Sequence, residues 1–193
     1  PPFPVTAARR LVGHGVPWLV ERGFAEAGRP QTAAELEARI ARFATIYSGR
    51  ILRESRVYEG VAPALDRLAA AGARLAVCTN KRTDLALELM DALKLTPRFA
   101  AVVGSDQIAR KPDPRLLWLA IERAGGTRER TLYVGDSNVD RDTARAAGVP
   151  VVGLSYGYAE PPLQAQDFEA LIDRFEELPP VAERLLSRPA SAR

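Results

Sequence analysis

The stretch Thr131–Ala147, TLYVGDSNVDRDTARAA, decides the fold. TLYV is a short apolar run suited to a buried strand, Gly135-Asp136-Ser137 reads as a turn, and VDRDTARAA is helical up to Gly148. A residue without a Cβ at that point can turn left-handed and stop the helix. The same grammar repeats on both sides. Upstream lie helix VAPALDRLAAAG, strand RLAVC, helix DLALELMDALKL, strand AAVVG and helix PRLLWLAIERAG; downstream lies strand VVGL. This alternation predicts an α/β core with a parallel sheet covered on both faces. RLAVC and TLYV suit burial on both sides, and Leu85, Leu89 and Leu93 recur at helical spacing that faces them toward the sheet.

Residues 5 to about 55 carry no strand pattern and read as helices: VTAARRLV, VPWLVERGFAEAG, and a run opened by Thr32 with Glu35 at capping-box spacing. At the other end, AEPPLQAQ reads as loop, DFEALIDRFEELPPVAERLL as a short strand or helix followed by a helix, and SRPASAR as a frayed tail. The division expected is therefore a helical unit over residues 1–56, an α/β core over 57–186 and a tail over 187–193.

A chain of 193 residues is long enough for that arrangement. With 47% hydrophobic and 26% charged residues and no apolar run of membrane-spanning length, it reads as a soluble protein without a membrane partner. The 27 basic residues against 24 acidic ones are interspersed along helices such as ELEARIARF, which argues against a nucleic-acid stripe. A single Cys78 and an N-terminus without a secretory layout favour the cytoplasm. Oligomeric state is open between monomer and homodimer.

In an open parallel sheet, ligands bind beyond the carboxyl ends of the strands. Thr79-Asn80, the Gly104-Ser105-Asp106 turn and Asp136 all fall at such ends. Thr79 and the amide of Asn80 could donate to a phosphate oxygen, with Lys81 adding positive potential; the alternative makes Thr79 a helix N-cap. Lys111, braced by Pro112-Asp113-Pro114, could neutralise a transferring phosphoryl group, or be a solvated loop lysine. Asp136 and Asp140, one helical turn apart, suit an oxygen-loving divalent cation, magnesium rather than zinc. Their alternatives are a cap and a first-turn residue favoured by the helix dipole.

VCTNK, RKPDP and VGDSNVDRDTARAAG together resemble the second, third and fourth motifs of the haloacid dehalogenase superfamily. The flanks RLVGHGVPWLVERGF, YEGVAPALDRLAAAGARLAVCTNK and GLSYGY look like the bacterial phosphoglycolate phosphatases within it. The resemblance implies a Rossmann-like core with a small α-helical cap, and a magnesium-dependent phosphomonoesterase acting on a small phosphorylated metabolite through an aspartyl-phosphate. By position, Thr79 and Asn80 would bind the phosphoryl group and Lys111 would stabilise charge around it. Asp136 would ligate Mg2+, and Asp140 would orient the metal shell and Lys111. His14, in VGHGV, would lie in a cap segment near the substrate; a solvated or helix-packing histidine is the alternative.

One departure stands out. The superfamily pattern starts with an apolar strand ending in Asp-x-Asp-Gly-Thr, yet residues 1–78 hold one aspartate, Asp66, in a helix pattern. Asp140-Arg141-Asp142 is no substitute, being inside a helix already assigned. The missing strand would be central, between those ending at Thr79 and Asp136, so its loss would strand backbone amides and carbonyls inside the sheet. Three outcomes are open: the two strands close on each other, another segment fills the gap, or the chain is a shortened form of a longer product, which is the outcome expected. The reading is thus a phosphoglycolate-type phosphatase with little activity in this chain. The alternatives are a non-catalytic phospho-ligand module and an enzyme for another phosphate ester or sugar phosphate.

Overall fold

The computed structural model describes residues 11, 13–157, 159 and 161–187. The helix expected at VTAARRLV and the SRPASAR tail fall outside these apart from Leu11 and Ser187. The first two helices, α1 (Val16–Glu26) and α2 (Ala33–Ser48), pack on one another. Pro17 sits in the first turn of α1, where a missing N–H costs nothing. The Thr32–Glu35 capping box opens α2 as its spacing predicts: the Thr32 hydroxyl accepts from the Glu35 amide, and the Glu35 carboxylate accepts from the Thr32 amide at 2.9 Å.

From α3 (Val61–Ala70) onward strands and helices alternate: β1 (Ala76–Thr79), α4 (Thr83–Ala92), β2 (Ala101–Gly104), α5 (Pro114–Arg123), β3 (Tyr133–Gly135), α6 (Asn138–Ala147) and β4 (Val151–Leu154). The chain continues through β5 (Ala170–Ile172) to α7 (Leu178–Leu186). Every strand pair is parallel, β1 with β2 and β4 between β3 and β5. The fold is mixed α/β, as the alternation predicts.

Successive residues of β4 show how the layers form. Val151 joins Leu117, Ile121, Tyr133, Ala144, Ala147 and Val149 on the side of α5 and α6. Val152 points the other way, to Ile172, Leu178 and Leu185, with Leu68 and Phe175 packed against them. Period-two alternation in a strand thus buries both faces. Each fully buried leucine, such as Leu116 at 0% exposure, contributes roughly 1.5–3 kcal/mol.

Two local expectations need correction. The inward face of α4 is Leu85, Ala86 and Met90, while Leu89 and Leu93 are half-buried, because the helix meets β2 along a neighbouring stripe. The second is the burial of RLAVC, and it follows from the gap already expected between the strands ending at Thr79 and Asp136, which leaves two parallel ladders. Among the described residues β1–β2 and β3–β4–β5 are separate, and no strand joins β1 to β3. The RLAVC run accordingly escapes full burial: Ala76 is exposed and Val77, Cys78 and Thr79 are half-buried. What brings the two ladders together is α5, which touches both β1 and β2 and packs on α6.

Candidate active site

Sequence-distant groups converge at the carboxyl ends of β1 and β3. The Thr79 hydroxyl accepts from the Lys81 amide at 3.1 Å, closing a tight turn. Thr79 is therefore not the cap of α4; that helix begins after Arg82, and its first amide, on Thr83, donates to the Asp106 carboxylate at 2.7 Å. Asn80, only 7% exposed, acts as a two-way clip. Its side-chain oxygen accepts from the Lys111 amide at 2.7 Å, and its side-chain nitrogen donates to the Lys111 carbonyl at 3.1 Å and to the Gly13 carbonyl at 2.8 Å. One amide side chain thereby pins the Lys111 loop to β1 and seats the segment before α1 on the same turn.

The Lys111 ammonium, on a side chain 11% exposed, donates to Asp140 Oδ1 at 2.6 Å and to the Tyr133 hydroxyl at 3.2 Å. Asp140 is 5% exposed and fully engaged. Its Oδ1 also accepts from the Tyr133 hydroxyl at 3.0 Å, and its Oδ2 from the Asp136 amide at 3.2 Å and the Ser137 hydroxyl at 2.5 Å. Burial alone would push the Asp140 carboxyl up. The Lys111 charge, with hydrogen bonds from Lys111, Ser137 and Tyr133, outweighs it and holds the group below the usual carboxylate range. Burial first, then the Asp140 charge, drive the Tyr133 hydroxyl well above its usual value, so it stays a neutral donor. Burial likewise raises the Cys78 thiol, which leaves it unsuited to attack.

Two glycines make this turn feasible. A Cβ on Gly135 would lie 2.2 Å from the Asp140 Cβ, and one on Gly157 would lie 2.2 Å from the Asp136 Cβ. The first lets Asp140 fold back under the strand end, and the second lets the loop after β4 close on Asp136. On that loop the Tyr156 hydroxyl is pushed up, first by burial, then by Tyr58 and the Asp136 charge.

Asp136 and Asp140 are the carboxylates the site offers a cation; the described residues hold no cluster of three His, Cys, Asp or Glu side chains. That pair fits magnesium, which keeps several waters and takes one or two carboxylates, better than a metal needing a full protein cage. Four donors already occupy the oxygens of Asp140 and hold its carboxylate in place. Of the remaining candidate, the backbone around His14 lies against Asn80, while its imidazole packs on Trp18 with ring centroids 4.3 Å apart.

Several participants escape a reading of the sequence. Tyr133 counts there only as a strand aromatic, although a buried tyrosine needs a partner for its hydroxyl. Ser137 is legible in retrospect: S-x-x-D before a helix is a capping pattern, and its hydroxyl accepts from the Asp140 amide. Asp106 capping α4 from 23 residues away, and Tyr47 meeting Lys81, leave no local signal.

Comparison with known proteins accords with this geometry. A family model described as haloacid dehalogenase-like hydrolase matches residues 21–154. A phosphoglycolate phosphatase of Caulobacter vibrioides is 43% identical over 188 residues, 97% of this chain and 79% of that protein. One from Mesorhizobium japonicum is 44% identical over 180 residues, 92% of this chain and 79% of that protein. The crystal structure of a predicted phosphoglycolate phosphatase from Haemophilus somnus superposes with a TM-score of 0.84 at 28% identity, covering 94% of this chain and 83% of that one. No helix among the described residues is long and apolar enough to cross a membrane. With the family match spanning well over half of its length, the chain belongs to the haloacid dehalogenase-like hydrolases, in a branch of phosphatases.

Proposed function

We propose that this protein hydrolyses 2-phosphoglycolate to glycolate and phosphate at the rim formed by Thr79, Asn80, Lys111 and Asp136. The observation that carries the reading is the Lys111 ammonium, buried and aimed by Asp140 and Tyr133, with its backbone clipped to the Thr79-Asn80 turn. A preorganised cation at such a rim stabilises the charge that spreads over a transferring phosphoryl group without reorganising during the reaction. The Thr79 hydroxyl would donate to the same group. Asp136 would hold a magnesium ion, which when bound supplies further neutralisation of phosphoryl oxygens. The pair α1–α2, within residues 1–56, would act as a cap over the substrate, with His14 at its edge. The substrate assignment rests on the names of the Caulobacter and Mesorhizobium relatives. We place the reaction in the cytoplasm, in a monomer or homodimer.

The attacking group is the remaining requirement. Among the described residues the carboxylate paired with Lys111 is Asp140, and its four accepted hydrogen bonds leave it no lone pair for attack. We therefore propose that a carboxylate nucleophile enters on a strand between β1 and β3, and that the 193-residue chain alone turns over slowly or not at all. Phosphate release from 2-phosphoglycolate and from an aryl phosphate with magnesium tests both statements. Negligible turnover by the chain, restored when an apolar strand bearing Asp-x-Asp is added at its N-terminus, is the expected result. Robust turnover by the chain, abolished by Asp136→Asn, refutes the need for that strand.

The separation of the two ladders favours one other reading, a module that binds phosphate esters without cleaving them. It requires saturable binding lost in Lys111→Ala and no hydrolysis even with the strand supplied.

A further inference from the structure

At the seam where α2 meets the rim, the Lys81 ammonium donates to the Tyr47 hydroxyl at 2.5 Å and lies 4.3 Å from the centre of the Tyr47 ring. Tyr47 is itself fixed by a stacked Phe43, ring centroids 5.8 Å apart. Lys81 follows the Thr79-Asn80 turn directly, and its own amide holds the Thr79 hydroxyl. Other cations near this rim have anionic partners: Lys111 pairs with Asp140 and Arg82 with Asp84. Among the described residues no carboxylate pairs with Lys81, although its surroundings are half-buried. Its ammonium has three donors and gives one to Tyr47, which accepts it and so retains its own O–H. No protein acceptor for that O–H, or for the remaining ammonium donors, lies among the described residues. Several donors and one positive charge thus converge beside the phosphate turn, on the side facing the helical pair, without an acceptor-only group to receive them.

We propose that Lys81 and Tyr47 form a carboxylate subsite that recognises the acidic end of the leaving group, and so selects short phosphate esters carrying a carboxylate over neutral ones. The inference rests on the reading that the Thr79-Asn80 turn and Lys111 hold the phosphoryl group. An ammonium and a hydroxyl with donors to spare suit an acceptor-only anionic group, and the charged far end of a short phosphate ester such as 2-phosphoglycolate is a carboxylate. Tyr47 sits on α2 and Lys81 on the loop after β1, so a ligand carboxylate bridging them would reinforce a contact that already joins these two elements.

The test uses two phosphonates whose P–C bond is not a phosphomonoester and which differ only at the far end: 3-phosphonopropionate and n-propylphosphonate. Calorimetric titration of the chain with each, and with inorganic phosphate, in the presence of magnesium, reads the subsite directly. The parent is expected to prefer 3-phosphonopropionate by on the order of tenfold, the worth of one charge-assisted contact at a half-buried site. Lys81→Met should bring the ratio close to one by weakening 3-phosphonopropionate far more than n-propylphosphonate, Lys81→Arg should retain part of the preference, and Tyr47→Phe should lower it. No preference in the parent, or equal weakening of both phosphonates by Lys81→Met, overturns the subsite while phosphate binding keeps the phosphate site intact. Failure of all three probes to bind the parent refutes the phosphate site itself, and the subsite with it.

Discussion

Lys111→Met is the sharpest probe of the rim. It deletes the ammonium from a pair in which both side chains are almost wholly buried, with 2.6 Å between charges. Removing one partner of a buried ion pair costs about 3–5 kcal/mol, because the other charge is left uncompensated. Asp140 keeps three donors, from Tyr133, Ser137 and the Asp136 amide, so the low end applies, about 3 kcal/mol. Asp140→Asn puts an amide nitrogen against those donors and should cost a similar ~3 kcal/mol. If both changes remove one shared interaction, the double mutant will fall short of the sum by about 2 kcal/mol. Urea unfolding of chelator-treated parent, single and double variants measures all three.

Acid should then separate the variants by sign. In the parent the Asp140 carboxyl is held low, so its contribution is full above the unfolded value near ~3.9 and fades as pH falls through the folded value. Without Lys111 the burial is no longer outweighed, the folded value rises above the unfolded one, and the ionised group costs stability at neutral pH that protonation restores. The gap between parent and Lys111→Met should narrow from about pH 7 to about pH 5. A single-mutant loss under ~1 kcal/mol, strict additivity, or a gap that ignores pH would show that Lys111 and Asp140 are not an energetic unit.

Asn80→Ala should weaken inorganic phosphate binding in calorimetry about tenfold or more although no phosphate contact of its side chain is invoked, because the clip to Lys111 is lost. Unchanged affinity would mean that the loop is held by other means. Gly135→Ala should destabilise by about 3 kcal/mol in thermal unfolding, since the added methyl meets Asp140, whereas Gly72→Ala, with no atom within 4 Å, pays only for its left-handed backbone, about 1 kcal/mol. Asp106→Ala removes the acceptor for the first amide of α4 and should cost about 1 kcal/mol. Burial opposes its charge, but the Thr83 amide and hydroxyl hold the Asp106 carboxyl low. That loss should be full at neutral pH and vanish as the carboxyl protonates, which unfolding at two pH values will reveal.

The division between legible and hidden features follows from the range of the forces involved. Strand order along the chain, the helix starts at Thr32 and Asp113 and the stop at Gly148 are set within a few residues, so they could be read from TLYVGD, RKPDP and the spacing of glycines. The candidate residues Thr79, Asn80, Lys111, Asp136 and Asp140 were legible too, because each sits at a strand end or in a braced turn. What each side chain touches was not. That the Asn80 side chain clips a loop 31 residues along the chain, and that the Thr79 hydroxyl accepts from the Lys81 amide instead of capping the next helix, carry no local signal. Tyr133 reads as one more strand aromatic until the fold lays its hydroxyl between Lys111 and Asp140. Backbone propensity and apolar period act locally and are written in the order of residues. The pairing of Lys111 with Asp140, of Lys81 with Tyr47, and the separation of β1 from β3 depend on which surfaces meet in space, and only the packed chain decides that.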